Sequence, residues 1–280
     1  MQGIVEFHDE LLYDVFKKNW EEKNMNPVNV RNIRIGEGIP KICVPIVGKT
    51  AEEILTEAKR LSDVPKDLIE WRSDWFQDVF EPEKVNGVLE TLRSILGETP
   101  ILFTFRTARE GGEKEVSVEA YKELNQKAIE SGFVDILDVE IFGDSVAVEY
   151  LINHAHENAV KVIGSNHDFE KTPSEQEIVA RLCKMQDLGA DILKIAVMPK
   201  SKKDVITLLV ATETMVSEHA NQPVVTMSMS KDGMISRIAG EIFGSSITFG
   251  SAAKASAPGQ VPVDELKETL EMIHHLLENK

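Results

Sequence analysis

In the stretch "ADILKIAVMP", residues 190–199, Lys194 stands between Leu193 and Ile195 inside an otherwise apolar run. Taking an ammonium out of water favours its neutral form, and a neutral amine attacks a ketone to give a Schiff base. Two other readings of the same stretch stay open. The side chain could carry its charge outward along its aliphatic stem, or it could pair in the interior with Asp138 or Glu140. Those two acids lie two residues apart and so share one face of a strand. Further groups are of the kind such chemistry needs. His167 in "SNHDF" offers an imidazole that titrates near neutral pH. Glu110 lies in "AREGGE", and Glu70 and Arg72 share a strand face in "EWR". Arg106, Arg237, Ser256 and Gln260 complete the candidates. Taken one at a time, each also has a structural reading, as an ion pair, a helix cap or a packed histidine.

Their positions acquire meaning from the elements that carry them. Eight short apolar runs read as strands: "KICVPIV", "LIEWRSDWF", "ILFTFRT", "VDILDVEI", "KVIGSNHDF", "DILKIAVMP", "PVVTMSMS" and "SITFGSA". Most end in polar residues, as buried parallel strands do. Helical patterns fill the gaps. "TAEEILTEAKRL" opens on a capping box from Thr50 to Glu53, and "SVEAYKELNQKAIESG" closes at Gly132. "TPSEQEIVARLCKMQDLGA" places Thr172 at the N-cap and Pro173 in the first turn. "VDELKETLEMIHHLLENK" is amphipathic, with His274 and His275 on its surface. Eight strand–helix units imply a (β/α)8 barrel, ahead of a doubly wound open sheet. In a barrel the chemistry collects at the C-terminal ends of the strands, where Glu70, Arg72, Arg106, His167 and Lys194 fall. "NVRNIRIGEGIPK" suggests an N-terminal hairpin across the barrel floor. Residues 1–28 read as an extension of unassigned role, and residues 29–280 as one barrel domain.

Composition narrows the partners. A formal net charge of −16 argues against a nucleic-acid surface, which needs basic patches. It does not oppose an anionic small molecule, because a few arginines in a cleft outweigh a distant acidic surface. The two cysteines, Cys43 and Cys183, suggest neither a zinc site nor a disulfide framework, and fit a reducing cytoplasm. No run approaches the roughly 18 apolar residues of a membrane span, and the N-terminus lacks the apolar core of a signal peptide. Neither HExxH nor a Gly-rich phosphate motif occurs. Met227 and Met229 share a strand face and read as core.

Six motifs in order, "EWRSD", "FTFRTAREGGE", "SNHDF", "LKIAVMP", "MSMSKDGMISRIAGEIFGS" and "KASAPGQ", resemble type I 3-dehydroquinate dehydratase. The resemblance runs from about Gly36 to the C-terminus. It implies a barrel, a homodimer, no metal and no organic cofactor, and 3-dehydroquinate as the substrate. It implies Lys194 as the imine-forming residue, His167 as the general acid and base, and Glu110 as the partner of that histidine. It implies substrate contacts at Glu70, Arg72, Arg106, Arg237, Ser256 and Gln260. One departure is visible: Pro45 stands where relatives can carry a substrate-touching serine. Aromatic biosynthesis and quinate breakdown use the same reaction, and the motifs do not separate them. An aldolase that shares the lysine and a catalytically silent barrel are the rival readings.

Overall fold

A computed structural model of the chain describes residues 25–252 and 259–279. Every run read as a strand forms one: β3 (Lys41–Ile46), β4 (Leu68–Arg72), β5 (Ile101–Thr104), β6 (Ile136–Glu140), β7 (Lys161–Asp168), β8 (Ile192–Val197), β9 (Val224–Ser228) and β10 (Ile247–Ser251). They pair in parallel in sequence order, and β10 also pairs with β3. At the remaining seam, Val224 bridges Ser245 and the Ser246 N–H donates to the Val224 carbonyl at 2.8 Å. The sheet is therefore closed on itself, and the open doubly wound alternative fails. A two-residue strand, β11 (Val261–Pro262), extends the mouth beside β10. "LIEWRSDWF" is shorter as a strand than its apolar pattern suggested, because Ser73–Trp75 turns into a 3-10 helix.

Helices α1 (Ala51–Arg60), α2 (Pro82–Leu96), α3 (Val118–Glu130), α4 (Ser145–Glu157), α5 (Glu175–Asp187) and α6 (Lys202–Thr214) ring the barrel. Two short helices, α7 (Ile235–Ile238) and α8 (Gly240–Phe243), precede β10, and α9 (Val263–Glu278) closes the ring. Their starts are fixed by local chemistry. The Thr50 hydroxyl accepts the Glu53 N–H at 3.2 Å, while the Glu53 carboxylate accepts from Lys49 rather than from Thr50. Gly132 ends α3 with φ +72°, as expected for a residue just past a helix. The expected cap of α5 shifts: Ser174, not Thr172, accepts the Glu177 N–H, and the Thr172 hydroxyl donates to the Met198 carbonyl instead. Pro173 thus lies just outside the helix. His275 is exposed, and half-buried His274 reaches Glu241 at 2.5 Å, joining α9 to α8.

The alternation of each strand sorts its side chains between two cores. On β8, Leu193, Ile195 and Val197 face the helices, while Ile192 and Ala196 belong to a separate interior cluster. That inner cluster begins at the floor with Cys43, Leu68, Leu102, Ile136, Ile163 and Ile192. Two residues further along the same strands stand Glu70, Thr104, Asp138, Ser165 and Lys194, all buried. The interior thus changes from apolar to charged within one layer of the barrel.

The N-terminal hairpin, β1 (Val28–Val30) and β2 (Ile33–Ile35), seals the apolar end. Val28, Val30 and Ile35 join the floor cluster. Arg31, in the hairpin turn, donates to Asp135 at 2.6 Å and to Glu98 at 3.1 Å, which pins the hairpin to loops of the floor. Val28, the last residue assigned to the extension, belongs to the hairpin; residues 1–24 lie outside the described residues. We expect Ile35→Ala, at a fully buried site, to cost about 3 kcal/mol in urea unfolding while the folded fraction keeps its activity. An unchanged midpoint would mean that the hairpin does not fold cooperatively with the barrel.

Candidate active site

Above the apolar floor, the strand ends enclose a cavity of about 190 Å³. Glu70, Arg72, Arg106, Glu110, His167, Lys194, Arg237 and Gln260 all line it. Eight of the nine residues singled out in the sequence thus converge, and Ser256 lies outside the described residues. Ala196, Met227, Met229, Phe169 and Phe249 supply the apolar wall. Pro45 is buried in register with Glu70 and is not among the residues that line this cavity.

Lys194 is 3% exposed. Its Nζ donates to Asp138 Oδ2 at 3.0 Å and lies 3.8 Å from Glu70 Oε1 and 4.7 Å from the centre of the Phe249 ring. The outward route along the stem is therefore not taken, and the interior pair with Asp138 is. Glu70 is steadied by the Thr104 hydroxyl at 3.0 Å. Burial alone would raise the Asp138 carboxyl, but Arg106 and Lys194 outweigh it and hold the group down at about 2.

Arg106 spans the carboxylates. It donates to Asp138 at 2.8 Å, Glu140 at 3.0 Å and the Ser165 hydroxyl at 3.1 Å, and lies 3.6 Å from Glu110. Burial works against its charge, yet these acids keep it well above its ordinary value. Its guanidinium is thus committed largely to the protein. Arg72 grips Asp74 through two bonds, at 2.8 and 2.9 Å. Arg237 is buried, and desolvation draws it down to about 10, so an anion placed beside it would be strongly favoured.

His167 and Glu110 form a pair at 3.0 Å, Nδ1 to Oε2. The His167 backbone N–H donates to the same oxygen at 2.9 Å, and Asn166 Nδ2 donates to Oε1 at 3.1 Å. Both oxygens are arranged as acceptors, so Nδ1 carries the imidazole proton and Nε2 is left as the base. Burial, then Arg106, Lys194 and Arg72, hold His167 well below 6.5 and therefore neutral. Burial raises Glu110 to about 7, with Glu140 adding to the effect and Arg106 opposing it. The loop that brings Glu110 here needs its glycines. Gly111 has φ +83° with the Phe169 ring 2.3 Å from where a Cβ would sit, and a Cβ on Gly112 would lie 1.9 Å from the Arg106 carbonyl oxygen.

Several contributors carried no signal by themselves. Ser165, Thr104 and Asn166 are ordinary polar residues in the sequence, and their roles depend on partners more than 25 residues away. Phe249 reads as core until the lysine is placed beneath its ring. For Asp138→Asn we expect about 3 kcal/mol lower stability near neutral pH, since Arg106 and Lys194 lose a shared buried anion. The wild-type contribution is fully present above pH 3.8 and is lost as the pH falls toward 2. Urea midpoints across that range check both; equal stability of the variant and wild type at pH 6 would contradict the assignment.

Comparison with known proteins bears on this constellation. The family profile described as Type I 3-dehydroquinase matches residues 42–277. A 3-dehydroquinate dehydratase of Listeria monocytogenes serotype 4a (strain HCC23) is 57% identical over 250 residues, 89% of this chain and 99% of that protein. One from Clostridium novyi (strain NT) is 51% identical over 253 residues, 90% of this chain and 100% of that protein. The crystal structure of a type I 3-dehydroquinate dehydratase from Clostridium difficile, described with covalently modified comenic acid, superposes with a TM-score of 0.87. It is 52% identical and the match covers 89% of this chain and 98% of that one. A 3-hexulose-6-phosphate synthase at 15% identity and a TM-score of 0.55 shares the fold alone. On the match over 42–277 and these identities, the chain belongs to the type I 3-dehydroquinase family.

Proposed function

We infer that this chain is a hydro-lyase that converts 3-dehydroquinate into 3-dehydroshikimate, the shikimate-pathway step its family performs, and that Lys194 is its nucleophile. The observation that carries the residue assignment is the enclosed lysine facing an imidazole whose Nε2 is held free. The reaction proceeds as follows. Lys194 gives up a proton, and His167, neutral and lining the same cavity, accepts it. The amine adds to the substrate ketone; the carbinolamine hydroxyl then takes that proton back from His167 and leaves as water, which gives an iminium ion. The iminium acidifies the neighbouring C–H, because the electron pair released there can flow to nitrogen. His167, free again as a base, takes that proton, and the resulting enamine expels the β-hydroxyl. The same imidazole returns its proton to the departing oxygen, which gives the syn course. Water then hydrolyses the product imine and frees Lys194.

Glu110 keeps the imidazole in the required tautomer and stabilises its charged form. Arg237, desolvated and lacking a competing bulk-water shell, suits the substrate carboxylate, and Arg72, Glu70 and Gln260 suit its hydroxyls. Arg106 acts chiefly by holding the carboxylates in place. Residues 29–280 serve as one catalytic unit under this reading, and Ser256 keeps its role as a substrate contact. A second copy of the chain is the proposed protein partner. Exposed Ile242 on α8 and Met272 and Leu276 on α9 give adjacent elements an apolar outer face that suits a homodimer. Among the described residues no helix is long and apolar enough to cross a membrane, and Cys43 and Cys183 as thiols suit a reducing cytoplasm.

Two outcomes test the reading. His167→Ala should still form the imine, more slowly because water must take the Lys194 proton, and lose about 10²–10⁴-fold in turnover of 3-dehydroquinate; near-normal turnover would remove the imidazole from the mechanism. The wild-type kcat/KM should rise with pH and level off above about 7, since an added proton on the Glu110–His167 pair removes the free base. A profile flat between pH 5 and 9, about two units either side of the Glu110 titration, would contradict the assigned protonation.

A further inference from the structure

Glu110 and His167 also line a second cleft, to which Asn166 and Arg181 contribute from the side of α5. Asn166 is buried and does not line the catalytic cavity. Its amide nevertheless joins two charged groups. Arg181 Nη1 donates to Asn166 Oδ1 at 2.9 Å, and Asn166 Nδ2 donates to Glu110 Oε1 at 3.1 Å. A guanidinium can only donate, so it fixes which end of the amide faces it. The NH₂ must then face Glu110. Arg181, on α5, is itself held by Glu177 and by Asp168 at 3.5 Å. A line of donors and acceptors thus runs from α5 through Arg181, Asn166 and Glu110 to the imidazole.

We infer that Asn166 and Arg181 are positioning residues for the reaction, which set the orientation and protonation of the Glu110–His167 pair from outside the substrate cavity. This rests on the reading of His167 as the acid and base. Without the Asn166 N–H, Glu110 Oε1 loses a donor that favours the ionised carboxylate, and the carboxyl is free to rotate or to keep a proton. A protonated Glu110 would donate to Nδ1 and put the imidazole hydrogen on Nε2, where no base is then available. The other charges that face the pair come from several elements. Arg106, two residues beyond β5, and Glu140 of β6 act on Glu110, while Arg72 of β4, Lys194 of β8 and Arg106 act on His167. Asp168 and Glu177 each pair with Arg181. None of these others donates to Glu110 Oε1, so Asn166 supplies that contact by itself among the described residues.

The test uses the full-length enzyme and 3-dehydroquinate. Asn166→Ala should lower kcat about 10- to 100-fold with KM within about twofold, and move the acid limb of kcat/KM upward by about one pH unit. Arg181→Leu, at a partly exposed position, should move the same limb in the same direction by less, and Arg181→Lys should restore most of it, since an ammonium still donates to Oδ1. In a Glu110→Gln background, Asn166→Ala should add little, because the group it acts through is gone. An acid limb that superposes on wild type in both Asn166→Ala and Arg181→Leu would overturn the inference, as would full additivity with Glu110→Gln. Unfolding midpoints of each variant separate a fold defect from this outcome. His167→Ala run alongside keeps the two readings apart: if it turns over normally, the acid–base assignment itself has failed, whereas its loss with an unmoved Asn166→Ala limb rejects only the positioning role.

Discussion

The pairing of Lys194 with Asp138, in a layer of the barrel shut off from water below and narrowly open above, is the contact on which the rest of the site depends. An ammonium at this depth is costly unless it is compensated, and one carboxylate at 3.0 Å with another at 3.8 Å compensates it. Those carboxylates require a cation of their own, and Arg106 meets Asp138, Glu140 and Glu110 together. The positive charges then press on His167 and keep it neutral. Each group's state follows from its neighbour's, and removing any one leaves a buried charge without its partner.

This arrangement explains why the barrel interior is built in two materials. The apolar floor and the hairpin beneath it exclude water from one side of the charged layer, so electrostatic contacts there are strong. The mouth admits the ligand from the other side. Rigid strand ends fix the positions of Glu70, Asp138, His167 and Lys194, because each is set by the register of hydrogen-bonded neighbours. Ser165 and Lys194, for instance, are partners across β7 and β8. Glu110 instead comes from the 3-10 turn Ala108–Glu110 beyond β5, and that turn is held by two glycines that no larger residue could replace without moving Phe169 or the Arg106 carbonyl.

Much of this was legible in the sequence, for physical reasons. Buried parallel strands must be continuously apolar, so all eight could be counted, and a polar residue inside such a run stands out, as Lys194 and His167 do. The period of two predicted that Asp138 and Glu140 share a face with each other, and Asp138 proved to be the partner of the lysine. What could not be read were contacts between distant segments. Arg106 is expected to touch the substrate and does line the cavity, but its bonds to Asp138, Glu140 and Ser165 could not be read from the sequence. Asn166 and Phe249 acquire roles only when the barrel closes. The α5 start was misplaced because Thr172 and Ser174 are equally good caps by type, and only the path of the chain after β7 chooses Ser174.

The measurement that bears most directly on the account is borohydride reduction in the presence of 3-dehydroquinate, followed by intact mass and a peptide map. A ligand-sized increase confined to the peptide bearing Lys194, and absent from Lys194→Ala, is the expected result. It would show that the lysine is buried in order to be a nucleophile. Turnover by wild type with no adduct, or an adduct on another lysine, would contradict it and return Lys194 to the role of a structural charge beside Asp138.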